Sequence, residues 1–299
     1  MIVSDAHCHF FSAGFFRALG QEAGVPSAAE ALPTRLDWEA PGRDDELADR
    51  WVAELDRHTV TRAMLIASVP GDELSVAAAV ARHPHRVVGA FMLNPAAPDA
   101  PVRLERAFRE PGLRTVCLFP AMHRVPLGDR SIDAVFAAAE RHARAVFVHC
   151  GVLSVGVRRK LALPSPFDLR LGDPLGVAAV AVRYPTVPVI IPHFGAGLFR
   201  EALMAADAAP NIVFDTSSSN SWTKFHHGLT LRDAFGRALD CVGPARILFG
   251  TDSSFFPRGW QQRIFEEQRA LLDDLHIDGE AQARIFGGNF TRVFGEPPI

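Results

Sequence analysis

A closed α/β barrel, eight parallel strands each followed by a helix, is the fold class that this 299-residue sequence predicts. Three observations lead there. Short β-branched runs alternate along the whole chain with alanine-rich amphipathic stretches. The runs are almost continuously apolar, as parallel strands buried on both faces must be. Polar residues gather at the C-terminal ends of the runs, the face on which such barrels build their sites. A doubly wound open sheet is the runner-up, but no GxGxxG turn follows the first run.

Taken in order, the candidate strands are 2–10 (IVSDAHCHF), 62–69, 86–93, 113–119, 145–151, 188–195, 211–217 and 245–252. Helical periodicity covers 44–58, 73–83, 131–143 and 199–209. Asp72, Ser131 and Asp173 have the type and place of N-caps. Residues 279–295 read as one or two closing helices. The eight units fit a single domain, 1–299, because α/β barrels commonly run to ~250 residues undivided.

Three connections exceed ordinary loop length: 10–42, 152–172 and 216–230. All follow strands, so a barrel puts them on one face. Residues 10–42 read as a lid-like insertion after strand 1. Its phenylalanine-rich start, 10–16, suits a small lid core or a dimer contact equally well.

Charge and composition narrow the function classes. Lys and Arg number 31 against 34 Asp and Glu, so there is no basic footprint for nucleic acid or an anionic membrane. Lys160 and Lys224 are the only lysines, which we read as base composition rather than function. No run of about 18 uncharged apolar residues suggests a spanning helix. An acid at position 5 does not suit a signal peptide. Four cysteines without a CxxC pair do not make a disulfide framework. The expectation is a cytoplasmic protein.

The strand ends carry the chemistry. Strand one ends in His7-x-His9, strand five in His149, strand six in His193 and strand eight in Asp252. Period two places Asp5, His7 and His9 on one face, the barrel interior, with Ala6 and Cys8 on the other. Imidazoles and a carboxylate from several strands can converge on one divalent ion that keeps a position open for water. Such an ion lowers the pKa of that water toward ~7. Each residue alone has a blander explanation, a buried histidine or a turn-capping aspartate. Coincidence at four strand ends favours a metal. Asp5 lies deeper, where orienting a ligand suits it better than binding metal.

The order HxH, "VFVHCG", "PHFGAG", "ILFGTDSSFFP" and a terminal "GGNFTRVFG" resembles the amidohydrolase superfamily. The likeness is greatest to its amidohydrolase-related branch, typified by aminocarboxymuconate-semialdehyde decarboxylase, and it runs from about residue 2 to 295. The resemblance implies that His7, His9, His149 and Asp252 hold the metal. It also implies that His193 hydrogen-bonds the water or the substrate, and that Asp252 shuttles the proton. Members with two metals bridge them with a carboxylated lysine at the end of strand four. "LRTVCLFP" has none, so one divalent metal ion is expected. Zinc suits three imidazoles and a carboxylate best, with manganese second. Cys117 reads as inert packing, and Cys8 and Cys150 as small hydrophobes facing the helices.

Arg124, Trp222, His226 and Arg258 follow strands four, seven and eight and are the candidate substrate contacts. His123, Lys224, His227, Phe255, Phe256 and Arg35 are further loop candidates. Arginine pairs with carboxylates through two hydrogen bonds, and family substrates are frequently carboxylated rings or lactones. The first functional expectation is a metal-dependent hydrolase of a small carboxylated lactone, ester or amide. The second is a non-oxidative decarboxylase of an aromatic or muconate-type acid, which would use the same ligands. A non-catalytic binding barrel is the third, and the intact ligand set argues against it. The partner is a small molecule, not nucleic acid or membrane, and a homodimer is compatible with the sequence.

Overall fold

The computed structural model of the protein describes residues 1–218 and 220–297. Eight parallel strands pair in chain order: β1 (Ser4–Phe10), β2 (Arg62–Ala67), β3 (Val87–Met92), β4 (Leu113–Leu118), β5 (Ala145–Val148), β6 (Val189–Ile191), β7 (Ile212–Asp215) and β8 (Ile247–Leu248). The segment after β8 closes the ring on β1. The Ala6 N–H donates to Phe249 O at 2.9 Å, Asp252 N–H to His7 O at 2.9 Å and His9 N–H to Ser253 O at 2.7 Å. The result is a (β/α)8 barrel.

Strand periodicity sorts the apolar side chains into two cores. Outward residues such as Leu65, Phe91 and Phe214 pack with Trp51, Phe136 and Phe235 of the surrounding helices. Inward residues such as Met64, Ile66, Cys117 and Phe147 fill the barrel. Its base is plugged by Phe290 and Phe294 from the closing helix Asn289–Phe294. Cys117 is thus packing, and Cys8 and Cys150 belong to the outer core.

One sequence expectation fails inside β1. Asp5 pairs with Ala63 but Cys8 pairs with Leu65, so β1 spends three residues where β2 spends two. This bulge resets the alternation. Ala6 joins the interior core and His7 and His9 face the barrel mouth, while Asp5 turns outward to Thr251 and Trp260. The period-two placement of Asp5 on the histidines' face is therefore corrected.

The helices Asp44–Arg57, Glu73–Arg82, Arg130–His142 and Phe199–Ala208 fall within a residue of their expected limits. Asp173 caps as expected, accepting from the Leu175 N–H at 2.9 Å. Asp72 occupies the N-cap position, but its carboxylate accepts from Ser12 Oγ at 2.5 Å instead. Asp129, not Ser131, caps Arg130–His142, because Ser131 already lies in the first turn and gives Asp129 both its N–H and its hydroxyl.

Residues 11–43 contain two helices, Ala13–Ala23 and Ala28–Leu36. Phe15, Phe16, Leu19, Leu32 and Leu36 bury against Val157 in a third, separate hydrophobic cluster. Of the phenylalanine-rich run, Phe15 and Phe16 are in the core of this small unit, Phe11 is half-buried against it and Phe10 packs in the outer barrel core. No helix among the described residues is long and apolar enough to cross a membrane.

Candidate active site

At the C-terminal ends of the strands lies a cavity of about 780 Å³, with His7, His9, His149, His193 and Asp252 on its wall. Each side chain is aimed by a local device. The bulge in β1 presents His7 and His9 together, their rings 5.1 Å apart. His193 follows Pro192, which ends the β6 ladder because it has no N–H to give. It opens a run of left-handed residues, with φ of 52° at His193, 51° at Phe194 and 44° at Ala196. Non-glycine residues occupy that region only when the surroundings impose it. Asp252 is left-handed too, at φ 60°.

The hydrogen bonds decide which ring nitrogens face the cavity. The His7 Nδ1–H donates to Asp215 Oδ2 at 2.6 Å, with Ser217 Oγ at 3.0 Å. The His193 Nδ1–H donates to the Ser217 carbonyl at 3.0 Å, an acceptor that offers no alternative. Ser68 Oγ–H donates to Ile66 O, so it accepts from the His9 Nδ1–H at 2.7 Å. In all three rings Nε2 is left for the cavity. His9 Nε2 lies 3.0 Å and His7 Nε2 3.7 Å from Asp252 Oδ1.

Electrostatics follow from this packing. Burial pulls the His7 imidazolium down, but Asp215 and then Asp252 outweigh it and raise its pKa to about 9. Burial opposes ionisation of Asp252, yet the His9 hydrogen bond and the charges of His9, His7 and His193 hold it down at about 2. Burial, then the neighbouring His193 and His7, push His149 well below the usual imidazole range. His193 is lowered by burial and by His7.

This donor set fits a divalent cation. His7, His9 and Asp252 place one donor atom each within 4.8 Å of one another. His149 stands outside that trio, its ring 5.6 Å from His193. Its Nδ1 is buried, uncharged and, among the described residues, without a hydrogen-bond partner, a group of the kind a metal satisfies. Bare imidazole nitrogens beside a carboxylate repel unless a proton or a cation lies between them.

Of the expected substrate contacts, Trp222 and Arg258 line the cavity. Arg258 donates to Ser254 Oγ at 2.6 Å and lies 4.4 Å over the Phe255 ring. Arg124 and His226 are not among its described lining residues. Arg124 is exposed in a left-handed turn, and the His226 Nε2–H is spent on Gly197 O at 2.9 Å. Sequence reasoning missed Asp215, Ser217 and Ser68, which orient the imidazoles. Asp215 carried a signal: the seventh run, NIVFDTS, places an acid near its C-terminal end as the eighth does. Asp5 serves backbone rather than imidazole, accepting from the His7 N–H at 2.8 Å. Burial raises it to about 6 against the hydrogen bonds of Thr251, His7 and Trp260.

Comparison with known proteins places this arrangement. An amidohydrolase from Burkholderia multivorans with bound zinc is 16% identical, with TM-score 0.66, over 99% of this chain and 100% of that one. A probable 2-pyrone-4,6-dicarboxylic acid hydrolase from Acinetobacter baumannii with citric acid bound is 16% identical, with TM-score 0.62, over 99% and 100%. A 5-carboxyvanillate decarboxylase from Novosphingobium aromaticivorans, complexed with manganese and 4-hydroxy-3-methoxy-5-nitrobenzoic acid, is 14% identical, with TM-score 0.62, over 98% and 95%. At these identities the likeness speaks for the fold. The family model described as amidohydrolase matches residues 4–295, nearly the whole chain, and the protein belongs to that family.

Proposed function

We propose that the protein is a metal-dependent hydrolase of a small carboxylated lactone, ester or amide, with one divalent ion held by His7, His9, His149 and Asp252. The carrying observation is the floor itself, where His7 and His9, anchored through Nδ1, turn Nε2 toward the Asp252 carboxylate, with His193 anchored beside them. Zinc suits this set best and manganese second, and similar structures carry each of the two. A bound ion would supply Lewis acidity toward a carbonyl and draw the pKa of water toward ~7.

The chain's own groups do the rest. Asp252, ionised at neutral pH, takes a proton from the attacking water and returns it to the leaving group. His193, fixed by its Nδ1–H on Ser217 O, accepts a hydrogen bond at Nε2 and so orients that water. Phe11, Trp38 and Phe255 stack in series along the wall and exclude solvent. Trp222 closes another side, and Arg258 is placed to receive a carboxylate.

A non-oxidative decarboxylase of an aromatic acid is the second reading, favoured by those flat aromatic walls. Hydrolysis leads because Asp252 is held ionised, ready to accept a proton before giving one. Four unpaired cysteines agree with work in a reducing cytoplasm.

The test is metal analysis of the purified protein, followed by a panel of carboxylated lactones and aromatic acids assayed for acid release and CO2 release. One equivalent of metal with lactone opening supports the proposal. CO2 release without lactone turnover moves the protein to the second reading, and absence of both metal and turnover removes both.

A further inference from the structure

The seam that closes the barrel, between β8 and β1, leans on side chains as well as on backbone. β8 has two residues, and just beyond it both backbone groups of Thr251 are taken by side chains. The Thr251 N–H donates to Asp5 Oδ1 at 3.2 Å, and its carbonyl accepts from Gln261 Nε2 at 3.0 Å. The same Gln261 amide donates to the Asp252 carbonyl at 3.2 Å. Across the seam, the Asp252 N–H donates to His7 O at 2.9 Å. Asp252 is thus gripped on both sides of its Cα, and its φ is left-handed at 60°. A residue other than glycine keeps that conformation only where its surroundings hold it.

Gln261 is itself anchored. Its N–H donates to Ser253 Oγ at 3.0 Å, and Ser253 Oγ lies 2.6 Å from Thr251 Oγ1. The Thr251 hydroxyl spends its one hydrogen on Asp5 Oδ2, so Ser253 gives its own to Thr251. A chain of hydrogen bonds that ends on a carboxylate is polarised along its length, and each bond strengthens the next. The preceding residue, Trp260, reaches the same carboxylate through its Nε1–H at 2.7 Å, and its backbone N–H donates to the buried Glu54 at 3.0 Å. Asp5 in turn holds the His7 N–H. The dipeptide Trp260–Gln261 therefore ties the bulge that carries His7 to the turn that carries Asp252.

We infer that Gln261 is a positioning residue: its carboxamide, donating to Thr251 O and Asp252 O, keeps Asp252 in the left-handed turn that sets Oδ1 3.0 Å from His9 Nε2 and 3.7 Å from His7 Nε2. Without that amide the turn relaxes to negative φ, and the carboxylate leaves the two imidazoles. Arg258 also donates to Asp252 O, but at 3.3 Å, and it serves one carbonyl of the two. The inference rests on the proposed function, because it concerns Asp252 as a ligand of the ion.

Gln268 supplies a control. Its Nε2 donates to Thr216 O at 3.0 Å and Gly250 O at 3.2 Å, a similar clamp one residue before Thr251. It is buried and is not among the described lining residues of the cavity. The experiment compares wild type, Gln261→Met and Gln268→Met by three measurements: the visible spectrum of the cobalt(II)-loaded protein, zinc affinity by chelator competition, and melting of the metal-free protein. The cobalt spectrum reports ligand type and geometry. Gln261→Met should change that spectrum and weaken zinc by about 10–100-fold, the scale of a residue that orients a ligand. Its metal-free melting should stay near wild type, because release of the left-handed turn offsets the lost bonds. Gln268→Met should do the reverse, melting lower while keeping the wild-type cobalt spectrum. Wild-type spectrum and zinc affinity in Gln261→Met overturn the inference and leave the proposed function standing. An equal spectral change in both variants also overturns it, since the cause is then a general loosening of β8. Wild type that takes up neither ion overturns the metal reading and the inference with it.

Discussion

The two halves of the barrel are built to different ends. Strands β1 to β4 run for seven, six, six and six residues, whereas β5 to β8 run for four, three, four and two. Low strand propensity is not the cause, since AVFV, VII and IVFD are strong strand formers. In the second half the ladder is cut short at the residue where the chain must aim a polar group. Pro192 ends β6 so that left-handed His193 can face the mouth, and Asp252 takes its left-handed turn just beyond β8. Apart from the β1 bulge that aims His7 and His9 and a register shift between β3 and β4, the first half keeps its ladder and carries the larger share of regular structure, while the second spends more of its regularity on the site. Functional sites are where local rules are expected to break.

That division can be broken or sharpened by experiment. The largest effect belongs to the irregular half. Asp252→Asn should cut turnover by about 10²–10⁴-fold, the worth of a general base, with little change in melting temperature. A variant that keeps turnover within a few-fold would remove Asp252 from the chemistry.

In the regular half the response should be the reverse. Trp51 is fully buried in the outer core, and its Nε1 has no partner among the described residues, so its contribution is apolar contact. Trp51→Ala should destabilise the fold by about 3–5 kcal/mol, read by denaturant melts, while metal stoichiometry below the transition stays at one. Loss of metal without loss of stability would show that the halves are not separate.

Asp72 tests whether the regular half is wholly relaxed. It is buried after β2, accepts from Ser12 Oγ, and burial raises its pKa from 3.8 to about 6. The folded state therefore binds the proton more tightly than the unfolded chain. Stability is lost as pH rises from about 4 through 6, by at most about 3 kcal/mol for 6 − 3.8 = about 2.2 pKa units. Asp72→Asn should raise the melting temperature at pH 8 and leave it nearly unchanged at pH 4. An equal loss at both pH values would mean that the hydrogen bond, not the buried charge, decides.

How much of this was legible in the sequence follows the same line. Apolar period and strand-end polarity revealed the barrel and the positions of His7, His9, His149, His193 and Asp252 on the cavity wall, because both are consequences of burial on two faces. The phase of Asp5 was not legible. A bulge inserts one residue into a ladder, and only pairing with β2 shows it. Arg124 and His226 were misplaced because a loop's direction depends on turn geometry that residue type does not fix. Lys160, which also lines the cavity, is no sequence candidate because its position depends on Val157 and Arg158 packing against a segment more than a hundred residues earlier.

Asp215 is the orienting residue that sequence reasoning overlooked, and removing its charge gives the most discriminating small effect. With a carboxylate at 2.6 Å, His7 must carry its proton on Nδ1 and expose Nε2. In Asp215→Asn the amide can accept through its oxygen or, turned over, donate through its nitrogen. The second arrangement moves the imidazole proton to Nε2 and blocks it as a ligand. The lost charge also weakens the field that raises His7 to about 9. Orienting partners of metal-bound histidines are typically worth 10–100-fold in affinity. Chelator competition should therefore show metal binding weaker by about that factor, and excess metal should recover most of the turnover. Turnover lost at unchanged metal affinity, and not recovered by metal, would place Asp215 in the reaction itself rather than behind His7.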